Sequence, residues 1–216
     1  ARKFSNLSKE IFLVEGYMDV IGLNRNGIEN CVANLGTALT ERQTSILNQF
    51  FDEIVICFDS DESGYKAAVR AAENSIKELE TEKQISFLFL PDGEDPDSYV
   101  SKNGKNSFLN YFKENKITIH DFLFNHFKKQ TTNSPSSLAT LEKKLRSITN
   151  TIKDEFIKKY ILDFFLGKIY ELTPNLSKGK KFAIKHVASL SSTKKIINET
   201  KSITKVELQE YSLLYL

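Results

Sequence analysis

The sequence predicts an α/β protein in which a parallel sheet flanked by helices is followed by an α-helical bundle. In the first half, short aliphatic and aromatic runs alternate with amphipathic stretches, and the runs are apolar on both faces, as buried parallel strands are. In the second half, apolar residues recur at steps of three and four, which is the period of a helix. Hydrophobic residues make up 40% and charged residues 27% of the 216 residues, an ordinary globular composition. No apolar run is long enough to span a membrane.

The first half contains four predicted strands. The clearest is the run IVICF at 54–58, and Gly27 and Thr40 mark the end of one predicted helix and the N-cap of the next. In chain order we expect a strand at 11–14, a helix at 18–26, a strand at 31–34, a helix from Thr40 to about Phe51, a strand at 54–58, a helix at 64–80 and a strand at 85–90.

The second half is predicted to be helical, with helices at 120–127, 138–152, 156–172 and 180–190 and a polar loop at 130–137. We expect the aromatic residues of 156–169 to form core rather than a ligand site. The polar stretch from Ser191 is typical of a linker, and 206–216 is predicted to begin a further, truncated domain. The predicted domains are therefore 1–125 (sheet), 126–190 (helical bundle) and 191–216 (linker and first helix).

The net charge of +2 conceals two oppositely charged halves. Residues 1–125 carry 13 Lys and Arg against 20 Asp and Glu, whereas residues 126–216 carry 17 against 8. An acidic half suits divalent cations and a basic half suits polyanions, so the two halves are expected to have different partners.

The two cysteines, Cys31 and Cys57, cannot build a disulfide framework or a zinc site of the CxxC type. Both lie inside apolar runs, and we therefore expect buried, free thiols. This usage fits a reducing cytoplasm.

Acidic residues follow three of the predicted strands. Glu15 follows the first, Asp59 and Asp61 follow the third, and four acids follow the fourth, namely Asp92, Glu94, Asp95 and Asp97. Parallel strands place their carboxyl ends on one edge, where ligands bind in open α/β sheets. Crowded carboxylates without Cys or His favour Mg²⁺ or Mn²⁺ over zinc. The alternative interpretation is that Asp-rich turns are solvated caps and turn formers.

Two glycines, Gly16 and Gly64, flank these acids and would let backbone or phosphate approach closely. Mg²⁺ held by one or two carboxylates together with phosphate oxygens is the usual arrangement in phosphoryl-transfer sites.

Four segments resemble the TOPRIM region of bacterial DNA primases of the DnaG type. They are VEGYMDVI (14–21), NLGTALT (34–40), FDSDESGYKAA (58–68) and LPDGEDPDSYV (90–100). The resemblance runs with few gaps from about Leu13 to Phe124 and continues weakly to about residue 190. The final LLYL resembles the opening helix of the primase helicase-binding domain.

The resemblance implies roles for individual residues. Glu15 matches the catalytic glutamate of the family, and Asp59 and Asp61 match its Asp-x-Asp metal ligands. Asp95 and Asp97 match the acidic pair that completes the metal region. Asp19 also falls on a family acid, and its role stays unassigned.

The resemblance further implies a fragment of an RNA-primer-synthesising enzyme, a nucleotidyltransferase that uses Mg²⁺ or Mn²⁺. The expected partners are a single-stranded DNA template, ribonucleoside triphosphates and, through the truncated C-terminal region, the replicative helicase. The expected location is the bacterial cytoplasm at the replication fork, and no membrane partner is expected. The zinc-binding N-terminal domain of the family has no counterpart here, and neither has the basic subdomain that precedes TOPRIM. The fragment alone is therefore expected to be weakly active or inactive.

Two other functions remain open at this point. One is a different TOPRIM enzyme, a nuclease or a topoisomerase, although no tyrosine here has a recognisable setting as a topoisomerase nucleophile. The other is a non-catalytic replication adaptor, against which the retention of all five acids argues.

Overall fold

The structure, a computed structural model, describes residues 9–34, 39–59 and 61–173. The chain divides into two compact units, Ala1–Thr173 and Pro174–Leu216. The second unit lies outside the described residues, and so do the predicted helices at 180–190 and 206–216 and the linker from Ser191. No helix among the described residues has both the length and the apolar character needed to cross a membrane.

Five strands form one sheet in the order β2-β1-β3-β4-β5. The first four strands pair in parallel, as the sequence predicts, and β5 adds an antiparallel edge. The sequence did not predict β5, because two residues are too few to show a strand pattern. The strands are β1 (Glu10–Val14), β2 (Cys31–Ala33), β3 (Glu53–Phe58), β4 (Gln84–Phe89) and β5 (Ile117–Thr118).

Seven α-helices flank this sheet in the described part of the chain. They are α1 (Tyr17–Arg25), α2 (Glu41–Asn48), α3 (Glu62–Ser75), α4 (Pro96–Asn115), α5 (Ile119–Lys129), α6 (Pro135–Thr149) and α7 (Glu155–Glu171).

Local capping chemistry sets several helix starts. Thr40 caps α2 as predicted, because its hydroxyl accepts the N–H of Gln43 at 3.3 Å and the Gln43 side chain accepts the N–H of Thr40 at 2.9 Å. Ser134 caps α6 and Pro135 occupies its first turn, so the polar loop ends earlier than the predicted 137.

Helix α4 was not predicted. Its polar and Gly/Asn-containing sequence has no clear apolar stripe, and Gly104 at φ 79° kinks it.

The two faces of the sheet carry separate apolar cores, because side chains alternate along each strand. Ile11 and Leu13 point to one core and Phe12 and Val14 to the other. The second core includes α1 and α4, and both thiols, Cys31 and Cys57, are buried there and free, which confirms that prediction.

The first core continues from the sheet into the helical half. It joins Ile56 and Phe87 of the strands to Phe122 of α5, Leu145 of α6 and Phe165 of α7. The helices therefore pack on the sheet through a shared core. The domain boundary at 125 falls within α5, and the division into three domains stays a prediction.

The expectation that all aromatic residues of 156–169 form core is wrong for two of them. Phe156 and Tyr160 are 77% and 66% exposed, whereas Ile161, Phe165 and Ile169 are buried. Apolar residues occupy most of the circumference of α7, so the sequence pattern alone does not indicate which stripe faces the sheet.

Candidate metal site

Glu15 and Asp59 lie side by side at the carboxyl edge of the sheet. Glu15 directly follows β1 and Asp59 directly follows β3, and these strands are parallel neighbours with Leu13 paired to Ile56. The backbone N–H of Asp59 donates a hydrogen bond to the Glu15 carboxylate. The parallel topology therefore brings together two acids that are 44 positions apart in the sequence.

Asp61 begins the helix that follows β3. Its Oδ1 accepts the N–H of Gly64 at 2.6 Å and so caps α3. A Cβ on Gly64 would lie 2.4 Å from the carbonyl oxygen of Asp59, so only glycine at this position lets the start of α3 pack this closely against the backbone of Asp59. The close approach predicted for Gly64 is thus to backbone, and its proximity to phosphate stays a prediction.

Asp19 is buried and ties the start of α1 to the start of α4. Its Oδ2 accepts the N–H of Gly16 at 3.0 Å, and its carboxylate also accepts the backbone N–H of Asp97. A Cβ on Gly16 would come within 3.1 Å of that same Oδ2. The residue without an assigned role is therefore placed to connect the acids after β1 with those after β4.

The acids after β4 lie in the first turn of α4. Asp95 caps the helix by accepting the N–H of Ser98 at 2.6 Å. Asp97 accepts the Ser101 hydroxyl at 3.2 Å and packs against α1, where a Cβ on Gly22 would lie 2.1 Å from its Oδ1. Sequence reasoning missed Gly22 and Ser101, and the one available signal was a glycine in the middle of a predicted helix.

The acids influence one another electrostatically. Burial, then the charge of Glu15, then that of Asp19, raise the pKa of Asp59 to about 6. Burial is also the main reason why the pKa of Glu15 and that of Asp19 are raised. The charges that raise the pKa of Asp59 belong to Glu15, Asp19, Asp95 and Asp61. Ionised carboxylates at this edge of the sheet therefore disfavour one another, and a bound divalent cation would relieve this repulsion.

The donor set consists of carboxylate oxygens, which suit Mg²⁺ and Mn²⁺. In the described part of the chain, no three His, Cys, Asp or Glu side chains are already arranged to hold a metal ion. The residues fit such an ion by their chemistry and charge, and their assignment as ligands stays a prediction.

A cavity of about 320 Å³ opens beside Glu15. Most of its lining is apolar, and Arg70 of α3 adds a cation to it. Arg70 has no signal in the sequence pattern that would mark it as a site residue.

The comparisons with known proteins agree with this architecture. Residues 12–100 match the family described as Toprim-like. The chain is 41% identical over 122 residues to a DNA primase of Haemophilus influenzae, covering 56% of this chain and 20% of the relative. It is 33% identical over 202 residues to a DNA primase of Rickettsia prowazekii, covering 93% of this chain and 32% of the relative. The chain thus spans a third or less of the length of these relatives.

Solved structures give the same result. A DNA primase domain from Pseudomonas aeruginosa superposes with a TM-score of 0.72 at 33% identity, covering 80% of this chain and 53% of that one. A DnaG primase catalytic domain bound to single-stranded DNA gives a TM-score of 0.71 at 31% identity, covering 77% of this chain and 54% of that one.

Proposed function

Because this chain carries the TOPRIM region of a bacterial DnaG-type primase, we propose that it is part of an enzyme that synthesises RNA primers on single-stranded DNA. The observation that supports the proposal is the hydrogen-bonded approach of Glu15 and Asp59 at one sheet edge, with Asp61 at the start of the helix that follows, in a region similar to primase catalytic cores. The reaction is a nucleotidyl transfer, in which a ribose 3′-hydroxyl attacks the α-phosphate of a ribonucleoside triphosphate and pyrophosphate leaves.

The three acids would carry the chemistry. When bound, Mg²⁺ or Mn²⁺ supplies neutralisation of the phosphate charge and a lower pKa for the attacking hydroxyl. Asp59 and Asp61 would be its main ligands, since both lie at the carboxyl end of β3. Glu15 would bind the same ion or accept the hydroxyl proton, and its raised pKa is compatible with either role.

The acids after β4 would serve the triphosphate. Asp95 is exposed at the N-cap of α4, and Asp97 lies two residues later in the first turn, so both are proposed to hold an ion near the leaving phosphates. Asp19 is a positioning residue in this scheme, because it accepts the N–H of Asp97 and thereby fixes the first turn of α4. Gly16 and Gly64, which lie beside these acids, are proposed to be close to the phosphates.

The proposed partners follow from the same similarity. A related DnaG catalytic domain was solved with single-stranded DNA, which supports a DNA template for this chain. Ribonucleoside triphosphates are the proposed substrates, and the replicative helicase is proposed to bind through the C-terminal region, which lies outside the described residues. Such a protein would act in the bacterial cytoplasm, at the replication fork. Residues 1–216 alone are expected to make little primer, because they cover only about half of the primase catalytic domains to which they are similar.

A metal titration of thermal stability tests the assignment of ligands. Mg²⁺ or Mn²⁺ should raise the melting temperature, because an ion that binds only the folded state stabilises it by about 2.7 kcal/mol at a hundred times its Kd. For a domain of this size that corresponds to roughly 5–11 °C. The rise should shrink in Asp59→Asn and Asp61→Asn, and less in Glu15→Gln.

The matched control is Asp92→Asn, which removes an exposed carboxylate from the turn after β4 that does not contribute to the raised pKa of Asp59. This variant should respond to metal as the parent does. If Asp59→Asn also responds like the parent, the ion binds elsewhere and the proposed ligands are wrong.

A further inference from the structure

A second pocket opens beside the carboxyl end of β4, in the space between that strand, α3 and α5. Its volume is about 670 Å³, which lies within the range of small-molecule and nucleotide sites. Aromatic rings line part of it, and the C-terminal half of α5 adds two amines and an amide. The residues that characterise it are Tyr65, Phe89, Phe122, Asn125, Lys128 and Lys129.

Three rings build the aromatic side. The Tyr65 ring lies 6.1 Å from that of Phe89 and 5.7 Å from that of Phe122, and the Phe89 and Phe122 rings are 5.6 Å apart. Phe122 is buried and anchors the group, whereas Tyr65 and Phe89 are partly exposed. The Tyr65 hydroxyl is hydrogen-bonded to His126 Nδ1 at 3.1 Å, which fixes the orientation of this ring. The pocket therefore presents a pre-organised aromatic surface to a ligand.

The pocket also carries positive charge. Lys128 and Lys129 are exposed, and neither forms an ion pair with a carboxylate of the described residues. Lys129 Nζ lies 5.1 Å from the centre of the Tyr65 ring, so one cation stands directly over the aromatic surface. Asp92 is the one carboxylate that lines the pocket, against these two amines. The pocket thus combines a flat π surface with an excess of positive charge.

We propose that this pocket holds a nucleobase, which displaces the Lys129 amine from the face of Tyr65 and stacks on the rings of Tyr65 and Phe89, with the attached phosphate beside Lys128 and Lys129. Stacking platforms with adjacent cations are how proteins bind single strands without reading their sequence. The pocket opens where β4 ends, and β4 pairs with β3, whose end carries Asp59. A single strand of DNA bound in this pocket would lie next to the candidate metal site, and in this respect the inference rests on the proposed function.

Two sources supply the same chemistry, a single strand and a free mononucleotide. The experiment is fluorescence anisotropy of residues 1–216 with a 5′-labelled 12-mer of single-stranded DNA, in EDTA and over a salt series. Unlabelled AMP is then added as a competitor. If millimolar AMP releases the 12-mer from the parent but not from the variant Tyr65→Leu, a free nucleotide also binds in the pocket.

The double variant Lys128→Gln/Lys129→Gln should bind more weakly than the parent. If both amines contact phosphates, the slope of log K against log salt should fall by about 1.4 in magnitude. The control is Lys143→Gln/Lys159→Gln, which removes the same charge from exposed positions on α6 and α7 outside the pocket and should leave the slope near that of the parent.

A second pair of variants tests stacking. Tyr65→Leu should weaken binding about five- to 150-fold, the usual range for loss of one stacked base. Tyr65→Phe keeps the ring, loses only the bond to His126 and should bind within about threefold of the parent. Thermal melts establish whether each variant is folded. If Tyr65→Leu is unfolded, the double variant Lys128→Gln/Lys129→Gln still tests the pocket.

Equal affinity and equal salt slope in parent, lysine and tyrosine variants would overturn the proposal, and so would a lysine control that loses as much as the pocket variant. EDTA removes divalent ions, so failure here leaves the metal response of Asp59 untouched. The two proposals are therefore distinguishable.

Discussion

Replacing Phe165 by alanine should destabilise the whole described unit, whereas the same change at Phe156 should have little effect on the free energy of unfolding. Phe165 is fully buried in α7, and its ring stacks at 6.4 Å on that of Phe124 in α5. Phe156 is 77% exposed on the other side of the same helix. The two variants remove the same atoms from one helix and differ only in what those atoms contact.

The expected magnitude follows from burial. Loss of a fully buried phenylalanine side chain costs about 3–5 kcal/mol, because the transfer free energy is lost and a cavity remains. For a domain of this size, this corresponds to a melting temperature lower by roughly 6–20 °C. An exposed substitution such as Phe156→Ala should change the free energy of unfolding by no more than about 0.5 kcal/mol.

Urea unfolding followed by far-ultraviolet circular dichroism measures both effects. A single transition that moves to lower urea with an unchanged m-value is expected for Phe165→Ala, because the helices share one core with the sheet. Equal shifts for the two variants would refute the assignment of the buried face of α7. A second transition that leaves the rest of the curve in place would refute the shared core.

Two further perturbations follow from the same structure. Burial lowers the pKa of His120 and of His126 from 6.5, so the folded protein binds these protons less readily than the unfolded chain. These groups should therefore leave the free energy of unfolding unchanged well above pH 6.5 and lower it as the pH drops through that value. Between about pH 7.5 and about pH 5.5, the urea midpoint should fall less in His120→Gln than in the parent. Asp154 caps α7 and also accepts the N–H and hydroxyl of Thr81 at 2.8 and 2.9 Å, so Asp154→Ala should lower the urea midpoint. The neighbouring Glu155→Ala is its control, and an equal loss there would contradict the capping role.

The sequence predicted those parts of the fold that local patterns determine. Continuous apolar runs are sufficient to identify parallel strands such as 54–58, and the parallel order then implies that Glu15 and Asp59 meet. Helix α4 and β5 were missed, because a polar helix and a two-residue strand lack a periodic signal.

The contacts that complete the candidate site could not be predicted, because they join distant parts of the chain. Asp19 accepts an N–H from Asp97, 78 positions away, and no spacing rule connects the two. The buried stripe of α7 was misjudged for a related reason, since the partner surface on the sheet decides which of its apolar residues is covered.

The contact between Gly22 and Asp97 has a consequence for how far this protein can vary. A single methyl group on residue 22 would overlap the Asp97 side chain, with its Oδ1 at 2.1 Å and its Cβ at 2.7 Å. The helices α1 and α4 can therefore pack this closely only because residue 22 has no side chain. Their separation determines the positions of Asp95 and Asp97 relative to Asp59. Gly22 lies inside helix α1 and has no functional group of its own. Even its replacement by alanine would nevertheless displace Asp97, and with it Asp95.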